Sequence, residues 1–163
     1  MLYKRVLLKI SGEALSSAQT PLCAETIGRT AKMLSELNRR GVELGVVVGG
    51  GNILRGRSAG NMERNRADHM GMLSTAINAL AIQDALERLG APCTVLSAVE
   101  MTRFCDTFTS RGAKAALSEG KVVVFACGSG SPFFSTDTAA ALRAAEIGAD
   151  VLLLAKNVDA VYS

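Results

Sequence analysis

The run Val122-Val123-Val124-Phe125-Ala126 passes without a break into Cys127-Gly128-Ser129-Gly130-Ser131-Pro132-Phe133-Phe134-Ser135-Thr136-Asp137. Apolar, β-branched residues give way to small flexible ones, then to hydroxyls and a carboxylate. This order predicts a buried strand, a loop of free backbone N–H groups and the start of a helix, where anions bind. Val46-Val47-Val48-Gly49-Gly50-Gly51-Asn52 makes the same transition earlier in the chain. Two such loops in one small domain point to a site for two phosphorylated molecules, which phosphoryl transfer requires.

The remaining pattern alternates strand and helix. Strands are expected at 5–10, 42–48, 93–96, 121–126 and 151–155, and helices at about 24–40, 66–89, 111–119 and 137–147. The first helix places Ile27, Ala31, Leu34 and Leu37 on one face, and the second carries Met70, Leu73, Ile77 and Leu80 at helical spacing. Such alternation predicts a mostly parallel sheet covered on both faces. A length of 163 residues suits one domain with a real core. No apolar run approaches the roughly 20 residues of a membrane helix. Residues 1–10 read as a strand rather than a secretory signal, so the expected location is the cytoplasm. Cys23, Cys93, Cys105 and Cys127 lie far apart with no C-x-x-C pair, which predicts reduced thiols and argues against zinc. A net charge of +3 makes no case for nucleic acid. Residues 157–163 begin a new loop after a strand, so the chain is expected to continue beyond them.

In open α/β sheets ligands sit beyond the carboxyl ends of the strands. The candidate groups fall at four such ends: residues 9–12, 49–52, 128–137 and 156–159. Lys9 can place its ammonium on a transferring phosphoryl group, with Ser11 and Gly12 supplying backbone N–H groups; the alternative is a lysine snorkelling at a strand end. Gly49-Gly50-Gly51 allows close backbone approach, and its spacing matches neither a dinucleotide fingerprint nor a Walker loop. Arg55, nearest the glycines, is a candidate phosphate contact, whereas Arg57, Arg64 and Arg66 read as a solvated basic loop. Asp68 is open to two roles, accepting from ribose hydroxyls or favouring the helix dipole. His69 is not expected to act as a base. Phe133 and Phe134 are expected in core or wall packing, with contact to a base as the alternative, and Ser135 or Thr136 as an N-cap. Asp137 then serves as a dipole partner, or orients Lys9 or a Mg²⁺-bound phosphate.

Taken together, Lys9-Ile-Ser-Gly-Glu13, Val48-Gly-Gly-Gly-Asn-Ile-Leu-Arg-Gly56, Asp68-His-Met-Gly-Met72, the segment 128–137 and Val158-Asp-Ala-Val-Tyr162 resemble, in order and spacing, the bacterial uridylate (UMP) kinases of the amino-acid-kinase superfamily. The resemblance runs over the whole chain. It implies a three-layer αβα sandwich with an open, mostly parallel sheet. The chain would be one domain over 1–163, holding the UMP-binding part and the start of the ATP-binding part, with a C-terminal part missing. It also implies the reaction of ATP with UMP to give ADP and UDP, with Mg²⁺, in pyrimidine nucleotide biosynthesis. Lys9 and Asp137 would be catalytic. Lys9, Ser11, Gly12, Gly51, Arg55, Lys156, Asn157 and Tyr162 would contact ATP. Gly50, Asp68, Ser129, Gly130, Ser131, Pro132, Phe133, Phe134, Ser135 and Thr136 would contact UMP. Members typically form hexamers activated by GTP and inhibited by UTP. Ser129 stands where the family usually has Thr, Ser131 where it has Asn, and Ala160 where it has Gly. A non-catalytic nucleotide-binding module of the same fold, or a superfamily kinase with a carbamate or amino-acid acceptor, are the competing readings.

Overall fold

The computed structural model describes residues 2–54 and 62–155. Its elements follow the expected alternation: β1 (Arg5–Ile10), α1 (Ala24–Arg39), β2 (Glu43–Val48), α2 (Arg64–Arg88), β3 (Cys93–Ser97), β4 (Asp106–Thr107), α3 (Ser110–Ser118), β5 (Val122–Ala126), α4 (Thr136–Ile147) and β6 (Val151–Leu154). A short 3₁₀ turn, Gly12–Leu15, follows β1. The expected helices and strands all form, with ends displaced by a residue or two. The two-residue β4 lies in a stretch that reads as irregular, because its Asp106 and Thr107 are both exposed and carry no apolar pattern.

The six strands form one sheet in the order β4-β3-β5-β2-β1-β6, and every pairing is parallel. Helices α1 and α2 pack on one face, α3 and α4 on the other. Alternate strand residues feed two separate cores. Leu8, Val46, Val122 and Val124 face α1 and α2 with Leu34 and Ile82. Leu7, Val47, Val123 and Phe125 face α3 and α4 with Leu117 and Ile147. β2 and β5 are buried along their whole length, as expected for central strands covered on both sides.

In α1 the predicted face is the buried one, through Ile27, Ala31 and Leu34. In α2 it is not. Met70, Leu73 and Ile77 are 40%, 55% and 45% exposed. The inward face instead carries Ala67, Ser74, Thr75, Asn78, Ala79, Ile82 and Ala85. Small and polar side chains face inward because α2 lies close against the loops at the strand ends, where bulk does not fit and hydrogen bonds are needed.

The amino ends of the strands are tied by charge. Arg5 donates from Nε to Glu43 Oε2 at 2.7 Å and from Nη1 to the Ile147 carbonyl at 2.6 Å, while Lys4 Nζ lies 3.1 Å from Glu43 Oε1. Asp150 Oδ2 accepts the backbone N–H groups of Lys4 and Arg5 at 2.8 Å each. Burial pushes the Glu43 carboxyl up, but Arg5 and Lys4 outweigh it and hold the group below its ordinary value of 4.5. The two N–H groups, Arg5 first, hold Asp150 below 3.8. A depressed carboxyl contributes stability that is present above its unfolded value and lost as pH falls through its folded value. Stability measured by denaturant melts is therefore expected to fall steeply below about pH 4. Glu43→Gln is expected to cost on the order of 1–3 kcal/mol at pH 7 and to flatten that acid dependence.

Candidate functional site

Because all strands run the same way, the chain leaves β1, β2 and β5 on one edge of the sheet. Lys9 pairs in register with Val47, and Val47 with Phe125, so the three exits lie side by side. The Gly49 N–H donates to the Ile10 carbonyl at 3.0 Å and extends the β1–β2 ladder one step into the glycine loop. There the backbones close in. A Cβ on Gly12 would stand 2.3 Å from Asn52 Oδ1 and 2.6 Å from the Gly49 carbonyl oxygen. One on Gly50 would stand 2.8 Å from the Gly71 carbonyl oxygen of α2. Only glycine fits at either position.

Beyond β5 the backbone enters the left-handed region at Cys127 (φ 62°) and Gly128 (φ 58°), which swings the loop across the sheet edge. The loop ends at Ser135, whose hydroxyl accepts the Thr138 N–H at 3.1 Å and caps α4. Of the two cap candidates Ser135 holds the position, and Thr136 is the first helical residue. Asp137, in the first turn of α4, then lies 3.0 Å through Oδ1 from Lys9 Nζ at the end of β1. Asp137 therefore stands both in the first turn of α4, where a dipole partner sits, and in an ion pair with Lys9.

Between the glycine loop, the start of α2 and the β5–α4 loop lies a cavity of about 540 Å³. Gly50, Gly51, Asp68, Ser129, Ser131, Phe133, Phe134, Ser135 and Thr136 all line it. Gly130 (φ 81°) supports the loop from behind, against the Ala98 carbonyl, and Pro132 is not in the lining. A second cleft of about 480 Å³ adjoins Ser11 at the ends of β1 and β6, with Arg29, Met33 and Ala155 in its walls. Gly12 lies between the two loops rather than in either wall. The expectations for Arg55, Arg57, Lys156, Asn157, Ala160 and Tyr162 fall outside the described residues.

Phe133 and Phe134 are 64% and 62% exposed, so of the expected core or wall packing it is the cavity wall that they take. One expectation needs correction: Arg64 is not merely solvated. Its Nε donates to Asp68 Oδ2 at 2.9 Å and its guanidinium carbon stands 5.6 Å from the centroid of the Phe133 ring. The same Asp68 oxygen accepts the Phe133 N–H at 2.8 Å. That N–H, then Arg64, holds the Asp68 carboxyl below its ordinary value against the opposing effect of burial. Phe133 itself has φ 70°, a strained conformation for a side chain of this size. Asp68 and Arg64 thus clasp a strained loop residue at the cavity mouth.

Three supporting residues escaped the sequence reading: Thr75 and Asn78 on the inner face of α2, and Arg143 on α4. Arg143 is buried, pairs with Glu146, lies 4.0 Å over the Phe108 ring and donates from Nη2 to the Gly128 carbonyl at 3.2 Å. The one signal for it in the sequence is a lone arginine inside the alanine-rich run 139–145.

What the arrangement offers chemically is a paired lysine at the junction of two loops, with backbone N–H groups, hydroxyls and a helix N-terminus around a cavity of nucleotide size. Such a set binds phosphates and stabilises charge that develops on phosphoryl oxygens.

Comparison with known proteins gives the same reading. The amino acid kinase family model matches residues 4–163. The uridylate kinase of Methylococcus capsulatus is 54% identical over 99% of this chain and 69% of its own length. The crystal structure of UMP kinase from Ureaplasma parvum superposes with a TM-score of 0.92 at 36% identity, over 98% of this chain and 72% of that one. The UMP kinase of Bacillus anthracis gives a TM-score of 0.91 at 34% identity, over 98% and 67%.

The close approach at Gly12 is testable. Gly12→Ala must displace Asn52 or the Gly49 backbone, and is expected to lower stability by about 1–3 kcal/mol in thermal or denaturant unfolding.

Proposed function

The chain belongs to the amino acid kinase family, and we propose that it is a UMP kinase: it transfers the terminal phosphoryl group of ATP to UMP, giving ADP and UDP. The observation that carries this reading is the Lys9–Asp137 ion pair, which stands close in the chain to Ser135 and Thr136 of the cavity wall and to Ser11 of the second cleft. UMP occupies the cavity between Gly50, Asp68 and residues 129–136. ATP lies on the other side, toward Lys9, Ser11, Gly12 and Gly51, with Arg55, Lys156, Asn157 and Tyr162 completing that half.

A UMP phosphate oxygen attacks the terminal phosphorus of ATP as the bond to the bridging oxygen breaks, and the electron pair leaves on ADP. The attacking oxygen is already ionised at neutral pH, so no strong base is needed. Catalysis then rests on alignment and on stabilising charge over the transferring group. Lys9 supplies the cation, Asp137 fixes its position, and the N–H groups of the two loops hold the phosphates. The Asp68 bonds to Arg64 and Phe133 both fall on Oδ2, so Oδ1 is the oxygen offered to the ribose hydroxyls. Among the described residues no three His, Cys, Asp or Glu side chains converge as a metal cage. A single carboxylate beside the lysine fits Mg²⁺ that arrives on the phosphates of ATP, where it would neutralise phosphate charge.

The reading extends to a cytoplasmic homo-hexamer, activated by GTP and inhibited by UTP. What supports self-association is the exposed apolar stripe Met70, Leu73 and Ile77 along α2, a feature that marks contact surfaces. No helix among the described residues is long and apolar enough to cross a membrane.

Two variants test the roles in a coupled ADP-release assay. Asp137→Asn is expected to lower turnover about a hundredfold or more while leaving the fold and UMP binding in place. Loss of UMP binding without loss of rate would contradict it. Asp68→Ala is expected to weaken UMP binding chiefly, and a change confined to the ATP KM would contradict that role.

A further inference from the structure

We infer that Thr75 and Asn78, three residues apart on the inner face of α2, are positioning residues that set the spacing between the glycine loop and the β5–α4 loop. The inference rests on the kinase reading for its effect on catalysis, but its geometry stands by itself.

Thr75 holds the β5–α4 loop. Its Oγ1 accepts the Cys127 N–H at 2.8 Å in a buried bond and donates to the Met72 carbonyl at 2.7 Å. Cys127 is the first residue past β5 and has φ 62° without being glycine. Such a conformation persists only where the surroundings over-determine it. The Thr75 hydroxyl does so here, assisted by the Cys127 thiol, which donates to the same Met72 carbonyl at 3.7 Å.

Asn78 holds the glycine loop. It is fully buried, and its Nδ2 donates to the Gly49 carbonyl at 2.7 Å and to Asn52 Oδ1 at 2.8 Å. Asn52 Nδ2 returns a bond to Asn78 Oδ1 at 3.0 Å and donates to the Pro21 carbonyl at 2.7 Å. The reciprocal amide pair fixes both side chains. It also sets the Asn52 oxygen against Gly12 and so includes the β1 exit in the same network.

The two anchors stand about 4.5 Å apart along one rigid helix. Gly50 lies directly against the Gly71 carbonyl of that helix, so no side chain cushions the loop from it. A shift of α2 must therefore move both loops together. In-line transfer tolerates little misplacement of the reacting groups, and holding both loops on one helical turn meets that demand.

The test is steady-state kinetics of the full-length protein, with UMP and ATP varied separately. Thr75→Val keeps the shape and strands the buried Cys127 N–H, so the UMP KM is expected to rise about tenfold with the ATP KM unchanged. Thr75→Ser keeps the hydroxyl and is expected to restore the UMP KM. Asn78→Asp sets an acceptor against the Gly49 carbonyl, and is expected to lower kcat about tenfold or more and to raise both KM values. A wild-type UMP KM in Thr75→Val would overturn the inference. So would equal impairment in Thr75→Ser, or identical kinetic profiles for the Thr75 and Asn78 variants that track a common loss of Tm. Amide hydrogen exchange on the unaltered protein gives a reading independent of any variant. Protection at Cys127 matching that of β5 is expected, and exchange as fast as that of residues 129–134 would contradict the anchor. Failure of the unaltered protein to phosphorylate UMP would remove the kinase reading and leave the exchange result to judge the anchor.

Discussion

A parallel sheet cannot be closed by tight hairpins. Each strand must be followed by a crossover that returns the chain to the opposite edge, and each crossover helix must bury one face against the sheet. In this chain that constraint decides nearly everything else. It requires apolar residues on both faces of β2 and β5, and it divides the core in two. It also sends the exits of β1, β2 and β5 to one edge. Neither loop forms a site alone. The site exists because parallel register brings Lys9, Gly49 and Cys127 to neighbouring strand ends.

The two edges of the sheet are built for different purposes. The amino edge is locked by Glu43 and Asp150, which satisfy backbone N–H groups and basic side chains at short range. The carboxyl edge keeps its polar groups facing cavities, and there the backbone takes costly conformations at Cys127 and Phe133. Each of these is held by a specific partner from α2, Thr75 for the first and Asp68 for the second. Strain at the loops is thus offset by a helix that is polar where most helices of this kind are apolar.

That reversal also explains where the sequence was legible. Strands and helices could be read because β-branched runs, glycine stops and helical spacing are local signals. The strand-end loops could be read because glycines and hydroxyls crowd into them, and the meeting of Gly50, Asp68, Ser129, Ser131 and residues 133–136 around one cavity followed from the α/β topology. The inward face of α2 could not be read from Met70, Leu73 and Ile77, since hydrophobicity alone assigns those residues to the core. The rival pattern, Gly71, Ser74, Thr75 and Asn78 at the same helical spacing, carries meaning only once two loops are known to lie against it. Arg64 and Arg143 were obscure for a similar reason. Their partners Phe133 and Gly128 are distant in sequence or separated by a turn, and pairing across such gaps is a property of the fold. β4 is two residues long and defined wholly by its neighbour.

The central claim is that one lysine–aspartate pair at the joint of two loops moves a phosphoryl group onto a nucleoside monophosphate. The most direct measurement is ADP release by the full-length protein with ATP and Mg²⁺, offering UMP, CMP, carbamate and amino-acid carboxylates in turn as acceptors. Turnover that depends on UMP and yields UDP is expected, with much weaker use of CMP and none of the acyl acceptors. Turnover with carbamate or an amino-acid carboxylate, and none with UMP, would contradict it.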